Sequence, residues 1–471
     1  MNKKRQLMKN TIIIFLGKAC TQLISFFLLP LYTGYLSTSD YGIVDLITTY
    51  VTLLVPIITL ELEMSIFRFL VDSREKKKET KELMSNNFFL LGVCLSIFII
   101  LYLIVGMFVN IPYKYVILVN VIVCTLSGNF LQIARGFGKT LDYSISCILT
   151  GVTTIISNIL LIAVFRLGAV GMIISMALAN GICSLYLFIK LKMYKYIDFS
   201  FTNKKLIKNM YSYSIPLIPN GISWWIINVS DRSIISWILG TAANGIYAVS
   251  NKFPTILSSL LGVFNLSWSE SAALHINSCD RDQFFSDITN TVVKLFSSLG
   301  VGMIACMPFV FPILINSKYI DAYYHIPILI LGAVFNVVIC LYSAIYIAKK
   351  MTKEVAFTSI IGAIINILVN VILIKKIGVF AASLSTAISY FVMMLYRYFD
   401  LKKYMNIKFE KGLIIKSILI FSFSMLLYYI NNLYLNCINL VVVVVYAFLL
   451  NKDFLMSFLN TMIGKLKRKS A

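Results

Sequence analysis

Few side chains in this 471-residue chain carry charge or strong polarity, and several that do sit inside apolar runs. Lys18 lies about seven residues into the first such run, hence roughly 10 Å deep at ~1.5 Å per residue. Glu61, Ser65 and Arg68 share one side of a helix by i, i+4, i+7 spacing, and with Arg135 they make a basic mouth at the same end of the membrane layer. Asn220, Trp224, Asn228 and Asp231 form a polar and aromatic stripe at helical spacing. Arg232 beside it and Lys252 in the next run both sit about six residues, or roughly 9 Å, from the opposite surface. A charge within a bilayer costs about 2.5–3.5 kcal/mol on insertion scales, so it faces a cavity or a partner rather than lipid. The chemistry of this set is recognition. Lys18, Arg68, Arg135, Arg232 and Lys252 attract an anion, Asn228 adds an amide, and Trp224 and Trp225 offer flat faces that suit sugar rings. Asp45, Glu61 and Asp231 are able to take up H⁺ or Na⁺. The competing reading has Arg232 and Lys252 snorkelling to the surface, Arg232 and Asp231 pairing to lock two helices, and the tryptophans as plain packing.

Catalytic chemistry has no comparable basis. The nine cysteines show no CxxC or Cys/His ligand spacing, and most lie in apolar runs where a thiol behaves as a small hydrophobe. His275 and His325 are far apart and lack ligand-spaced partners. There is no Walker A motif. We therefore expect no enzyme activity, no metal and no cofactor.

The elements that position these residues are membrane spans. The chain is 59% hydrophobic and 13% charged, with a mean hydropathy of +0.85, whereas soluble proteins average roughly 45–50% apolar and about 25% charged residues. Apolar runs bounded by charge clusters or short Gly/Asn/Pro turns place fourteen spans. They fall near 11–35, 42–64, 86–109, 115–135, 143–165, 168–189, 211–238, 246–268, 287–315, 323–347, 355–374, 379–396, 413–431 and 433–450. Two divisions rest on short signals, Arg166-Leu167-Gly168 and Asn431-Asn432. The first run follows Lys3, Lys4, Arg5 and Lys9 like a signal sequence, but it lacks an A-x-A site and reads as an uncleaved span. With the N-terminus inside, the cytoplasmic loops collect most of the 42 Lys+Arg, which explains the net charge of +22 without nucleic acid. Lipid phosphate is the expected neighbour of that charge. Reporter fusions should read extracytoplasmic at Thr38, Asn244 and Lys318 and cytoplasmic at Lys77, Lys204 and Lys403; a cytoplasmic signal at Asn244 would refute this topology.

The two halves repeat. Leu36, Thr38, Gly42 and Ile43 after the first span match Leu239, Thr241, Gly245 and Ile246 after the seventh, all at an offset of 203. Gly168, Ser175 and Ala177 match Gly378, Ser385 and Ala387 at an offset of 210. Both pairs enter the membrane in the same direction, so the repeat is parallel. The expected fold class is all-α integral membrane, with about 14 helices in two parallel six-helix bundles plus a C-terminal helix pair. The expected divisions are 1–195, 196–403 and 404–471, the last holding spans 13–14 and a basic tail. Two such bundles without a sizeable loop suit a transporter that rocks between states.

The segment Ser214-Ile-Pro216-Leu-Ile-Pro219-Asn-Gly-Ile-Ser223-Trp224-Trp225-Ile-Ile-Asn228-Val-Ser230-Asp231-Arg232, followed by Leu239-Gly240, Gly245-Ile-Tyr247 and Lys252-Phe-Pro254, resembles the Wzx-type flippases of the polysaccharide transport family. Ser39-Asp-Tyr-Gly42 and Phe67-Arg68-Phe add to it, and the resemblance spans nearly the whole chain. That family belongs with the multidrug/toxic-compound exporters and lipid II flippases. The resemblance implies translocation of undecaprenyl-diphosphate-linked oligosaccharide units across a bacterial cytoplasmic membrane, by alternating access, for O-antigen, capsule or exopolysaccharide. It also implies a cargo bound by the basic residues above, a multi-pass chain with both termini cytoplasmic, and polymerase and chain-length proteins as pathway partners. One departure is Trp268-Ser269-Glu270, where the family often has Trp-x-Pro; it bears on where that helix ends. A multidrug cation antiporter of the same superfamily calls for a more acidic cavity, and a polysaccharide polymerase for a large outer loop.

Overall fold

The computed structural model describes residues 24, 26–74, 76–110, 112–198, 203–452 and 456, with backbone alone for Asn220, Ser223, Trp224, Ile227, Asn228, Leu266 and Thr352. Lys18 lies outside the described residues, as do the side chains of Trp224 and Asn228. The protein is an all-α integral membrane protein, and among the described residues ten helices are long and apolar enough to cross a membrane. The chain divides into two compact units, Met1–Gly245 and Ile246–Ala471.

In the first unit α1 (Leu29–Tyr35) has Pro30 in its first turn, where a missing amide costs nothing. α2 (Thr38–Thr59) begins where the Ser37 side chain accepts from the Asp40 amide, a cap for one of the orphan donors of a helix start. The second predicted span is not one helix. α2 ends in a Schellman turn, with the Glu61 amide donating to Pro56 O at 2.9 Å and the Leu60 amide to Ile57 O at 3.3 Å. Leu60 and Glu61 both take left-handed φ, 52° and 57°, a conformation that costs a non-glycine residue roughly 1–2 kcal/mol. α3 (Leu62–Ser73) then starts afresh, with Glu61 at its N-cap position without a side-chain capping bond and its carbonyl accepting from the Met64 and Ser65 amides.

α4 (Lys77–Phe108), α5 (Lys114–Gly136), α6 (Thr140–Asn158) and α7 (Gly168–Lys190) follow. α6 widens into a π-helical segment over Ile159–Val164. The expected break beyond it is present, because Arg166 and Gly168 both take positive φ. α8 (Lys204–Ser214) is capped by Asn203, whose side chain accepts from the Lys205 and Leu206 amides. A 3₁₀ turn over Ile215–Leu217 holds Pro216, and α9 (Ile218–Ile238) has Pro219 in its first turn. The predicted span 211–238 is thus jointed at its prolines, which cannot donate to a continuous helix ladder. Leu62, Ile66 and Leu70 of α3, Met84 of α4, Ile133 of α5 and Met210 of α8 share one buried apolar cluster.

α10 (Thr241–His275) begins in the first unit and continues through the second. It runs past Glu270, where a proline would have ended it. The second unit adds α11 (Arg281–Leu314), α12 (Asp321–Ala348), α13 (Thr352–Ile377), α14 (Phe380–Leu401), α15 (Leu413–Ile430) and α16 (Leu433–Leu450). Asn431 in the left-handed region closes α15, and the Asn432 side chain accepts from the Tyr434 and Leu435 amides to open α16. α12 is the most buried of the apolar spans. Arg397 of α14, fully buried, ties it to its neighbours. Its Nε donates to Thr358 Oγ1 at 3.0 Å, one terminal nitrogen to Ile339 O and Ser343 Oγ, and the other to Val355 O and Ser359 Oγ. All five guanidinium donors are used without a carboxylate, which makes this arginine a joint between α12, α13 and α14.

Candidate functional site

The repeated motifs of the first unit meet each other. Thr38 and Thr241 open α2 and α10, and Gly42 and Gly245 follow each at the same spacing. A Cβ on Gly42 would stand 1.8 Å from Thr241 O, and one on Gly245 would stand 1.9 Å from Thr38 O. Each glycine therefore packs its bare Cα on the carbonyl that opens the other helix, an approach no side chain permits. Around the crossing, Ser39 Oγ and Thr241 Oγ1 are 2.8 Å apart, and Asn244 Nδ2 donates to Gly42 O at 2.9 Å. Asn244 also reaches Asp45 Oδ2 at 3.4 Å.

Asp45, one helical turn beyond Gly42, receives Arg232 of α9. Nε lies 2.9 Å from Oδ2, with the side chains 21% and 14% exposed. This is a partly buried ion pair inside apolar helices, where each charge offsets the other's desolvation. Trp225, two turns before Arg232, donates Nε1–H to Thr49 O at 2.9 Å and stacks on Tyr50 with centroids 6.3 Å apart. α9 is therefore fastened to α2 at two levels, by an ion pair and by an indole. Asp231 is buried and has its own interactions.

The break between α2 and α3 faces the start of α9. Glu61 is 8% exposed, and its Oε1 lies 3.0 Å from the place a Cβ would take on Gly221. Glu63 accepts from Thr59 Oγ1 at 2.7 Å. A buried carboxylate thus sits where one span is broken and another is jointed by prolines. Glu63 and Asn244 were passed over in the sequence; Glu63 had a readable signal as an acidic residue in the same apolar run as Glu61.

In the middle of α3, Arg68 pairs with Asp72 at 2.6 Å and is half-exposed. The Arg135 guanidinium lies 4.7 Å from the ring centre of Phe67 and donates to Gln132 Oε1 at 2.9 Å. Arg74 reaches Gly136 O and, at 3.0 Å, Arg135 O. Arg74 and Arg135 so meet at the adjoining ends of α3 and α5, while Arg68 stands mid-helix on α3 beside Phe67 in sequence. Lys252 stands on α10 in the second unit, half-buried and with interactions of its own.

The model of the polysaccharide biosynthesis protein family matches residues 7–268, more than half of the chain. Two uncharacterized membrane proteins of Methanocaldococcus jannaschii are similar. One is 27% identical over 235 residues, 48% of this chain and 45% of that relative. The other is 24% identical over 330 residues, 64% of this chain and 76% of that relative. The chain thus spans less than half the length of the first. Among solved structures, the lipid II flippase MurJ in an inward closed conformation superposes with a TM-score of 0.72 at 16% identity, over 96% of this chain and 100% of that one. An inward-facing multidrug resistance transporter of the MATE family, in the MOP superfamily, gives 0.66 at 10% identity, over 81% and 95%. A mutant of the Vibrio cholerae MATE transporter VcmN gives 0.59 at 14%, over 85% and 96%. At these identities the structures share the fold.

Proposed function

Because the chain belongs to the polysaccharide biosynthesis protein family, we propose that it is a flippase for undecaprenyl-diphosphate-linked oligosaccharide units, moving them across the cytoplasmic membrane by alternating access for O-antigen, capsule or exopolysaccharide. The observation that supports this beyond family membership is the Arg232–Asp45 pair within the apolar helices. A guanidinium there is the natural partner of a diphosphate, which it grips through parallel N–H bonds. Asp45 holds it in reserve. Protonation of Asp45 releases Arg232 to the cargo, and loss of the proton returns Arg232 to Asp45 and lets the cargo go. Glu61 and Asp231 extend the same ion-coupling set.

Arg68 and Arg135, with Lys18, receive the headgroup on the cytoplasmic side, and Arg232 and Lys252 take it up toward the other. Trp224 and Asn228 meet the sugars; Trp225 is held by α2 in the present state and becomes available when α9 parts from it. The prenyl chain stays in lipid. Polymerase and chain-length proteins act on the product, and both termini face the cytoplasm.

Deleting the protein is expected to abolish surface glycan and leave lipid-linked repeat units in the cytoplasmic leaflet, read by leaflet-selective lectin labelling of spheroplasts and everted vesicles. Single units accumulating on the outer leaflet would point to a polymerase instead.

A further inference from the structure

Asn244 is fully buried where α2 and α10 meet, and it uses only half of its amide. Nδ2 donates to Gly42 O at 2.9 Å and, at a long 3.4 Å, to Asp45 Oδ2. Oδ1 has no hydrogen-bond partner among the described residues. A buried acceptor left unused is costly, and a side chain needed only to tie Gly42 O carries this one for nothing. One nitrogen thus joins two features. On one side is the crossing, where Gly42 and Gly245 pack on opposing carbonyls. On the other is the ion pair, because the Asp45 oxygen that Asn244 reaches is the Oδ2 that receives Arg232 Nε at 2.9 Å.

While Asp45 is charged, both groups in front of that nitrogen are acceptors, which fixes the orientation of the amide. A proton on Asp45 changes one of them. The carboxyl then carries an O–H that needs an acceptor, and Arg232 no longer competes for the oxygen. Asn244 offers an acceptor by turning about its last side-chain bond, a rotation that exchanges Oδ1 and Nδ2. The turn puts Oδ1 where Nδ2 stands, 2.9 Å from Gly42 O. Two acceptor oxygens at that distance with no proton between them repel. O–H···O bonds settle at about 2.7–2.8 Å, so the new bond to Asp45 also draws the side chain off Gly42. Other ionisable groups around Asp45 are engaged elsewhere or stand apart. α9 contributes Arg232 and the buried Asp231, Asp40 accepts from Ser37 Oγ at 2.7 Å, and Tyr41 is buried against Tyr32 of α1. α5 and α7 oppose Val44 with Val116, Ala169 and Ile173. Their nearest charges are Lys114, which donates to Gly106 O at 3.5 Å, and the exposed Arg166. α4 has no charge beyond Glu82, and those of α3 begin past the other end of α2.

We infer that Asn244 is a positioning residue that couples the charge state of Asp45 to the crossing of α2 and α10. Its amide holds the crossing while Asp45 keeps Arg232, and it turns and pushes on Gly42 O when a protonated Asp45 gives Arg232 up. The inference deepens the transport reading and rests on it for one step, the proton on Asp45. Its consequence there is order: the crossing is free to part only while Arg232 is committed to cargo, and it tightens again once Arg232 returns.

The test uses the purified full chain in detergent, without native cysteines and with Ser39→Cys as a reporter, since Ser39 meets Thr241 at the crossing. The maleimide labelling rate of the new thiol is divided by that of the same chain unfolded in dodecyl sulfate and urea at the same pH, which removes the titration of the thiol itself. Between about pH 8 and about pH 4.5, approaching the ordinary carboxylate range from above, the ratio should rise roughly tenfold, the scale of one hydrogen bond turned into a contact between two acceptors. In Asp45→Asn and in Asn244→Ala the ratio should be the same at both ends of that range. A flat ratio with Asn244 and Asp45 in place would overturn the inference, and this outcome depends on neither variant folding. A pH response that survives Asn244→Ala or Asp45→Asn would overturn it too, because the signal would then start or travel elsewhere. No cargo is present. A flat ratio beside arrested export on deleting the protein would therefore sink the coupling alone, and a pH response beside normal export would sink the transport reading alone.

Discussion

Arg232→Ala should lower glycan export by roughly tenfold to a hundredfold while the protein stays in the membrane at its normal level. A hydrogen bond to a charged group contributes about 1.5–3 kcal/mol, and each ~1.4 kcal/mol is tenfold; partial exposure of the pair, 21% and 14%, keeps the effect from exceeding that range. The same alanine leaves Asp45 without its partner, so the single variant does not by itself separate a joint from a binding group. The exchanged pair does. In Asp45→Arg with Arg232→Asp the ion pair is restored with reversed sense, and a purely structural role should be rescued. A guanidinium that must meet the diphosphate from α9 should not be. Asp45→Asn gives the third reading: Arg232 then has no carboxylate to return to, so cargo release should slow and export should fall while losing its dependence on proton supply. Normal export by Arg232→Ala, or full rescue by the exchange, would reduce the pair to a helix lock.

What the sequence made legible follows from which interactions are local. Span positions were readable because hydropathy and turn residues act within a few positions: Asn431 and Asn432 end one helix and cap the next as their types require, and Arg166-Leu167-Gly168 turns where glycine permits it. Pro216 and Pro219 announced a bend, though not a separate helix before it. The break at Leu60–Glu61 had no signal, because neither residue favours the left-handed region that both adopt. Partner choice was equally hidden. Arg232 has an acid beside it in sequence, yet its ion pair is with Asp45, 187 positions away, because neighbours on a helix point about 100° apart. Arg397 fell just beyond a predicted span end, and its partners are carbonyls and hydroxyls contributed by two other helices, which no spacing rule collects.

Gly42→Ala and Gly245→Ala should each drive α2 and α10 apart at their first turns, and together they should cost little more than either alone. The added methyl would stand 1.8 or 1.9 Å from a backbone carbonyl oxygen that belongs to the other helix, and no rotamer moves it away. The helices must separate by more than an ångström, and the bonds around the crossing, Ser39 to Thr241 and Asn244 to Gly42, must lengthen with them. Once one methyl has forced that gap, the second meets open space, so the pair must be strongly non-additive, as contacts sharing one interface are. That signature separates a crossing from two unrelated tight spots. The repeat gives the crossing its meaning: the same Leu-x-Thr-x-x-x-Gly-Ile pattern begins both helices, so each half contributes one carbonyl and one glycine to a reciprocal contact. On the transport reading this crossing parts when cargo leaves. In a background without native cysteines, a cysteine at Asn244 should therefore react slowly with a membrane-impermeant maleimide. Either alanine should speed that reaction at least tenfold and lower export, with the double variant matching the singles. Unchanged labelling together with normal export in the double variant would show that the glycines merely fit and that the parting happens elsewhere.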